Sequence, residues 1–241
     1  MKVIPAAPRA AAAMNILHRH RILGAAPAAE LQAMLARSHV VEVEEREPLF
    51  HQGDVGRAVV VVMDGFVKLS CVTGGGREVV LEICGPGSLF GELAVLNDWP
   101  RSADAIALSR SEVLSIGGDA FRTALAHSPD AMFALIGVLS RRLRLASEQV
   151  MDNASLSGGA RLAKALGQLA AVHSRPVAGG LRLELSITQR ELGGLTGLSR
   201  ERINKQLAAW RDLGWVKLSP PHITLLAVEA LRALVHDAAE A

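Results

Sequence analysis

Apolar and polar positions change rhythm three times along this chain. Over residues 14 to 37, Ile16, Leu17, Leu31, Met34 and Leu35 fall at helical spacing, and Pro27 opens a second helical piece. From Val40 the period drops to two. The segments VVEVEE, AVVVVMDG, FVKLSCV, EVVLEIC and DAIALSRSEVLSI alternate or run apolar over strand lengths, punctuated by Gly53, Gly56, Gly65, Gly74 to Gly76, Gly85 and Gly87. Short strands with glycine turns at this density predict an antiparallel roll or barrel whose interior can take a small ligand. After Ser128-Pro129 the helical period returns. Met132, Ile136, Leu139, Leu143, Ala146 and Val150 repeat at alternating steps of four and three, the seam of a long helix that either pairs with a copy of itself or packs on its own roll. Arg141, Arg142 and Arg144 read as the solvated flank of that helix.

The polar stretch Asp152 to Gly159 ends this helix and opens a second domain near residue 153. Arg161 to Val172 is a further helix with Leu162, Leu166 and Leu169 inward, and Val228 to Val235 a short closing one. Between them, Thr188 to Trp210 reads as two helices across a tight turn. Leu192, Leu195 and Leu198 bury one side, Gly197 supplies the turn, and Ser199 caps the second helix. On that second helix Ile203 and Leu207 face inward while Arg200, Glu201, Asn204 and Lys205 share the other side. Such a face is either an ordinary solvated one or a row of base readers, since arginine or lysine can donate to guanine and a carboxylate can accept from cytosine. Two short apolar alternations, Leu213 to Leu218 and His222 to Leu225, joined by Ser219-Pro220-Pro221, add a β-hairpin wing and favour a winged helix-turn-helix.

Charge sharpens this division. Residues 1 to 153 carry 15 Lys and Arg against 17 Asp and Glu, and residues 154 to 241 carry 11 against 7, so a net charge of +2 splits into −2 and +4. The basic bias sits on the segment with the reading helix, as phosphate contact requires. No run of about 18 apolar residues reads as a membrane span. The alanine-rich start, MKVIPAAPRAAAAMN, lacks the apolar core of a leader and reads as a disordered or loosely helical arm. With only Cys71 and Cys84, neither a disulfide framework nor a four-cysteine metal site can be built within one chain, and a cytoplasmic protein is expected. An enzyme is not expected, because no nucleophile elbow, HExxH or Walker glycine loop is present.

One stretch carries ligand chemistry: GSLFGELAVLNDWPRSA, residues 87 to 103, a short helix inserted in the roll and followed by an arginine. Backbone N–H groups with Arg101 could hold an anion such as phosphate, and Glu92 could accept from a sugar hydroxyl. Equally, Arg101 and Glu92 could form a structural ion pair. The sequence GSLFGELAVLNDWPRSADAIAL resembles the phosphate-binding cassette of bacterial cyclic-nucleotide-binding domains. Together with RRLRLASEQV on the long helix and LSRERINKQL in the helix-turn-helix, it makes the chain, over roughly residues 30 to 226, similar to the Crp/Fnr family of transcription regulators.

That resemblance implies an α+β protein: an arm (1–29), an antiparallel β-roll sensor (30–128), a dimerisation helix and hinge (129–153) and a winged helix-turn-helix DNA-binding domain (154–241). It implies a homodimer, with Met132, Ile136, Leu139, Leu143, Ala146 and Val150 at the interface, that reads an inverted repeat in double-stranded DNA and has RNA polymerase as a possible further partner. Arg101 and Ser102 would hold a cyclic phosphate and Glu92 the ribose, with Gly91 and Leu93 lining the pocket. In the cAMP-responsive subgroup a Thr-Ser pair on the dimer helix meets the purine, and here those positions are Ala146 and Ser147, so cAMP, cGMP, both and neither all stay open as the effector. The family's base-contacting positions fall on Arg200, Glu201 and Lys205, with Arg202 and Asn204 beside them and Thr188, Gln189 and Ser199 completing the DNA face. Ligand would act allosterically through a hinge at Met151 to Asn153. No resident cofactor is expected. An iron–sulfur sensor lacks its cysteines, and a haem sensor lacks axial ligands in the cassette, since His18, His20, His39 and His51 read as surface or loop residues. A regulator without a small ligand or with another effector such as haem, and a cyclic-nucleotide-binding regulatory subunit without DNA binding, are the other readings.

Overall fold

Residues 1–5 and 9–239 are described by the computed structural model, whose first unit comprises residues 1–71 and 81–143. In chain order come strand β1 (Lys2–Pro5), helices α1 (Ala10–Arg19) and α2 (Ala28–Ala36), strands β2 (Ser38–Val43), β3 (Pro48–Phe50), β4 (Ala58–Asp64), β5 (Val67–Val72), β6 (Glu78–Cys84) and β7 (Leu89–Phe90), then the short helix α3 (Glu92–Asn97), β8 (Asp104–Ala107), β9 (Ser111–Gly117), α4 (Gly118–Ala126) and the 27-residue helix α5 (Pro129–Ser155). One sheet runs β1-β2-β9-β4-β7 and the other β3-β8-β5-β6. The assigned pairings are antiparallel, so the expected roll is present.

Strand β4 shows why its sequence reads as an unbroken apolar run. Val60 and Val62 enter the core between the two sheets with Val41, Val113 and Phe90, while Val59, Val61 and Met63 point the other way into a second core. A strand covered on both faces cannot alternate apolar with polar. The second core is roofed by α1, α2, α4 and the first turns of α5, and it corrects the reading of the N-terminus. Among the described residues of that segment, β1 pairs with β2, and Ala13 and Leu17 of α1 are fully buried. The alanines of α1 give a helix with short side chains that lies close against β4 rather than a loose arm. His20, expected at the surface or in a loop, lies in the bend after α1 and is buried. Its Nδ1 accepts from the backbone N–H groups of Ile22 and Leu23 at 3.1 and 3.2 Å.

The second unit comprises residues 72–80 and 144–241. It contains α6 (Gly158–His173), strands β10 (Ser174–Val177) and β11 (Gly180–Leu183), α7 (Gln189–Thr196), α8 (Arg200–Asp212), β12 (Val216–Ser219), β13 (His222–Leu225) and α9 (Val228–Ala239). Strands β12 and β13 are the expected wing, and they join β10 and β11 in a four-stranded sheet ordered β10-β11-β13-β12. Leu162, Leu166 and Leu169 of α6 are buried as their spacing requires, and Trp210 of α8 stacks on Trp215 at 6.4 Å between ring centroids. No described helix is long and apolar enough to cross a membrane.

Candidate ligand site and reading helix

The ligand candidate is built where β7 turns into α3. Gly91 occupies the left-handed region at φ 83°, and a Cβ there would collide with the Arg101 guanidinium, so only glycine lets the arginine approach this backbone. Arg101, 7% exposed, donates from Nη1 to the Gly91 carbonyl at 2.9 Å and from Nη2 to the Ala58 carbonyl at 2.7 Å. Its guanidinium carbon lies 4.1 Å from the centre of the Phe50 ring, and its Nε is buried without a partner. Burial pulls the Arg101 pKa below its ordinary value, opposed by the charges of Glu92 and Asp54.

Glu92, 2% exposed, does not pair with Arg101. Its Oε1 accepts from Nη1 of Arg142 on α5 at 2.8 Å, Nη2 of Arg142 donates to the Leu89 carbonyl at 2.8 Å, and Nε lies 3.0 Å from Oε2 of Glu82. Arg142 is therefore no solvated flank. It is the group that satisfies the buried carboxylate. Burial pulls its pKa down, but the fields of Glu92 and Glu82 outweigh this and hold it above the ordinary value. In the structure Arg142 lies three residues after Leu139, which packs on the roll, so the two share a helix face.

Of the other expected ligand residues, Leu93 and Ser102 are exposed. The Cys71 thiol donates to the Ser102 carbonyl at 3.3 Å, and burial followed by the charge of Asp104 pushes that thiol's pKa up. Ser147 lies on the part of α5 that belongs to the second unit. The structure thus brings Gly91, Glu92 and Arg101 together, and it adds Phe50, Glu82 and Arg142.

The reading helix follows from its caps. The Thr188 hydroxyl accepts from the Glu191 N–H at 3.2 Å while Oε2 of Glu191 accepts from the Thr188 N–H at 2.7 Å, a reciprocal capping box that fixes the start of α7. Gly197 takes φ 72°, and the Ser199 hydroxyl accepts from the Arg202 N–H at 3.3 Å to start α8. Nε2 of Gln189 donates to Oδ1 of Asn204 at 3.2 Å, tying α7 to α8. Ile203, Leu207 and Trp210 are buried beneath, and Arg200, Glu201, Arg202, Asn204 and Lys205 are exposed on one polar surface.

Comparison with known proteins agrees with both halves. The cyclic nucleotide-binding domain profile matches residues 40–128, and the Crp-like helix-turn-helix domain profile matches residues 160–234. A "CRP-like cAMP-activated global transcriptional regulator" of Mycobacterium tuberculosis is 31% identical over 217 residues, covering 90% of this chain and 97% of that protein. Among solved structures, FixK2 from Bradyrhizobium japonicum superposes with a TM-score of 0.73 at 20% identity, over 82% of this chain and 96% of the other. The c-di-GMP responsive regulator CLP of Xanthomonas campestris does so with a TM-score of 0.67 at 25% identity, over 83% and 99%. With a sensor roll, a long helix and a winged helix-turn-helix in this order, the chain belongs to the Crp/Fnr family of transcription regulators.

Proposed function

We propose that this regulator binds DNA as a homodimer under the control of a cyclic nucleotide, cAMP or cGMP, held in the roll. The observation that carries the reading is the buried Arg101, with one guanidinium N–H unpartnered, set against Gly91 and next to the buried acceptor Glu92. A cyclic phosphate matches the first and a ribose hydroxyl the second. Dimerisation rests on α5, where Met132, Phe133, Ile136, Leu143 and Val150 are exposed apolar residues on a 27-residue helix. Leu139, assigned to the same seam, packs against the roll core instead of standing free. We assign residues 30–128 to sensing, 129–153 to dimerisation and the hinge, and 154–241 to DNA, with cytoplasmic residence and RNA polymerase as a partner following from that role. Arg200, Glu201 and Lys205 read bases, Thr188 and Ser199 hold their helices in place, and two-fold symmetry sets half-sites about one helical turn apart.

Titration calorimetry of the full chain with cAMP and cGMP, repeated on Arg101→Ala, tests the reading. Saturable binding of at least one nucleotide, weakened about 100-fold in the variant, is expected. Unaltered binding by the variant would remove Arg101 from the site.

A further inference from the structure

Glu82 breaks the rule of its own strand. On β6 the side chains of Val80, Glu82 and Cys84 share one face, and Cys84 lies fully buried in the core between the sheets. Leu81, on the other face, is 51% exposed. The Glu82 side chain, 34% exposed, is thus partly covered on the face that Cys84 turns to the core, while Leu81 is more open than the acid although Ile83 on its own face is buried.

The acid is held there by Arg142, whose Nε lies 3.0 Å from Oε2 of Glu82 while its Nη1 donates to Glu92 at 2.8 Å. One guanidinium thus serves two carboxylates, leaving one negative charge in excess. The groups also stand in an order. Arg101 bonds the Gly91 carbonyl, Glu92 is the next residue, and Glu82 lies on the far side of the guanidinium that Glu92 accepts from. With phosphate assigned to Arg101 and ribose to Glu92, the base is the part of a cyclic nucleotide left to meet Glu82.

A carboxylate has only acceptors to offer. Guanine presents two adjacent donors, N1–H and the 2-amino group, and can satisfy both oxygens. Adenine presents its 6-amino donor beside the N1 lone pair, which a carboxylate repels. We propose that Glu82 is the specificity-determining residue of the roll and selects a guanine over an adenine cyclic nucleotide; this rests on the assignment of the site above.

The test is calorimetry of the full chain with cGMP, cAMP and cyclic inosine monophosphate, which keeps N1–H and lacks the amine, on wild type, Glu82→Gln and Arg101→Ala. Wild type is expected to prefer cGMP over cAMP by about tenfold or more, with the inosine nucleotide between them. Glu82→Gln offers one donor and one acceptor, matches adenine, and is expected to erase or invert that preference. The three-ligand ranking in wild type alone decides the matter if the variant does not fold. A wild type that binds cAMP as tightly as cGMP, or a ranking unmoved in Glu82→Gln, overturns the role of Glu82 while leaving the site in place, provided binding is lost in Arg101→Ala. Binding of none of the three overturns both.

Discussion

The ligand cassette of the roll and the reading helix of the winged unit use the same side chains, arginine and glutamate, in opposite surroundings. Arg101 and Glu92 are buried, so each is matched by the protein's own groups, Arg101 by two backbone carbonyls and Glu92 by Arg142. Arg200 and Glu201 stand in water, and among the described residues neither side chain is drawn into an ion pair. A buried polar group is costly to leave without a partner, so a ligand has to exchange partners with the groups already matched or take the one N–H of Arg101 that is left open. An exposed one needs only to be docked. On the proposed reading, the cassette therefore carries a resting set of bonds that a ligand can rearrange, as a switch requires, whereas the exposed face of α8 is ready to dock as it stands.

Arg142→Ala challenges the buried side of this contrast most directly. It leaves Glu92 unpaired in the roll, and a loss of about 3 kcal/mol in urea unfolding is expected, reduced in the double variant with Glu92→Gln. Stability equal to wild type would mean that the carboxylate is satisfied some other way.

Acid acts on the same side. His20 accepts two backbone N–H bonds through Nδ1, and burial lowers its pKa from 6.5 to about 4. Between these values the unfolded chain holds a proton that the native ring refuses, so stability rises with pH across that window. Acidification from pH 6.5 to 4 is expected to cost about 2 to 3 kcal/mol through this group. Thermal midpoints should fall with acid over that range, and His20→Gln, which keeps an acceptor without titrating, should flatten their dependence on pH; an unchanged slope in the variant would assign the acid sensitivity elsewhere.

The smallest effect on stability belongs to the reading helix. Glu201→Gln is expected to change unfolding free energy by less than about 0.5 kcal/mol. Discrimination at one base pair of the operator should fall by about 1 to 3 kcal/mol in competition binding. A uniform loss of affinity across all sequences would make Glu201 a general contact and not a reader.

Legibility in the sequence followed the same divide. The exposed face of α8 could be read from spacing alone because cap, period and turn glycine are local, and Ser199 and Gly197 hold the positions expected of them. Strands β10 and β11 escaped because SRPV and GLRL are short and half-exposed, although Ala178-Gly179 between them was a turn signal. Arg142 was misread since its partners lie 50 and 60 positions away in the chain, and helical period says only that an arginine can reach solvent, not that a carboxylate waits beneath it.

What the sequence by itself determined was everything set by local periodicity and by the order of motifs: the roll, the long helix, the winged helix-turn-helix and the cassette bearing Gly91, Glu92 and Arg101. Tertiary structure alone decided which groups share the buried charge. The docking of α1 against β4, the burial of Glu92 and the claim of Arg142 on both Glu92 and the partly covered Glu82 come from how the elements pack. A buried ion takes the partner that folding brings within about 3 Å, and sequence distance does not enter into that choice.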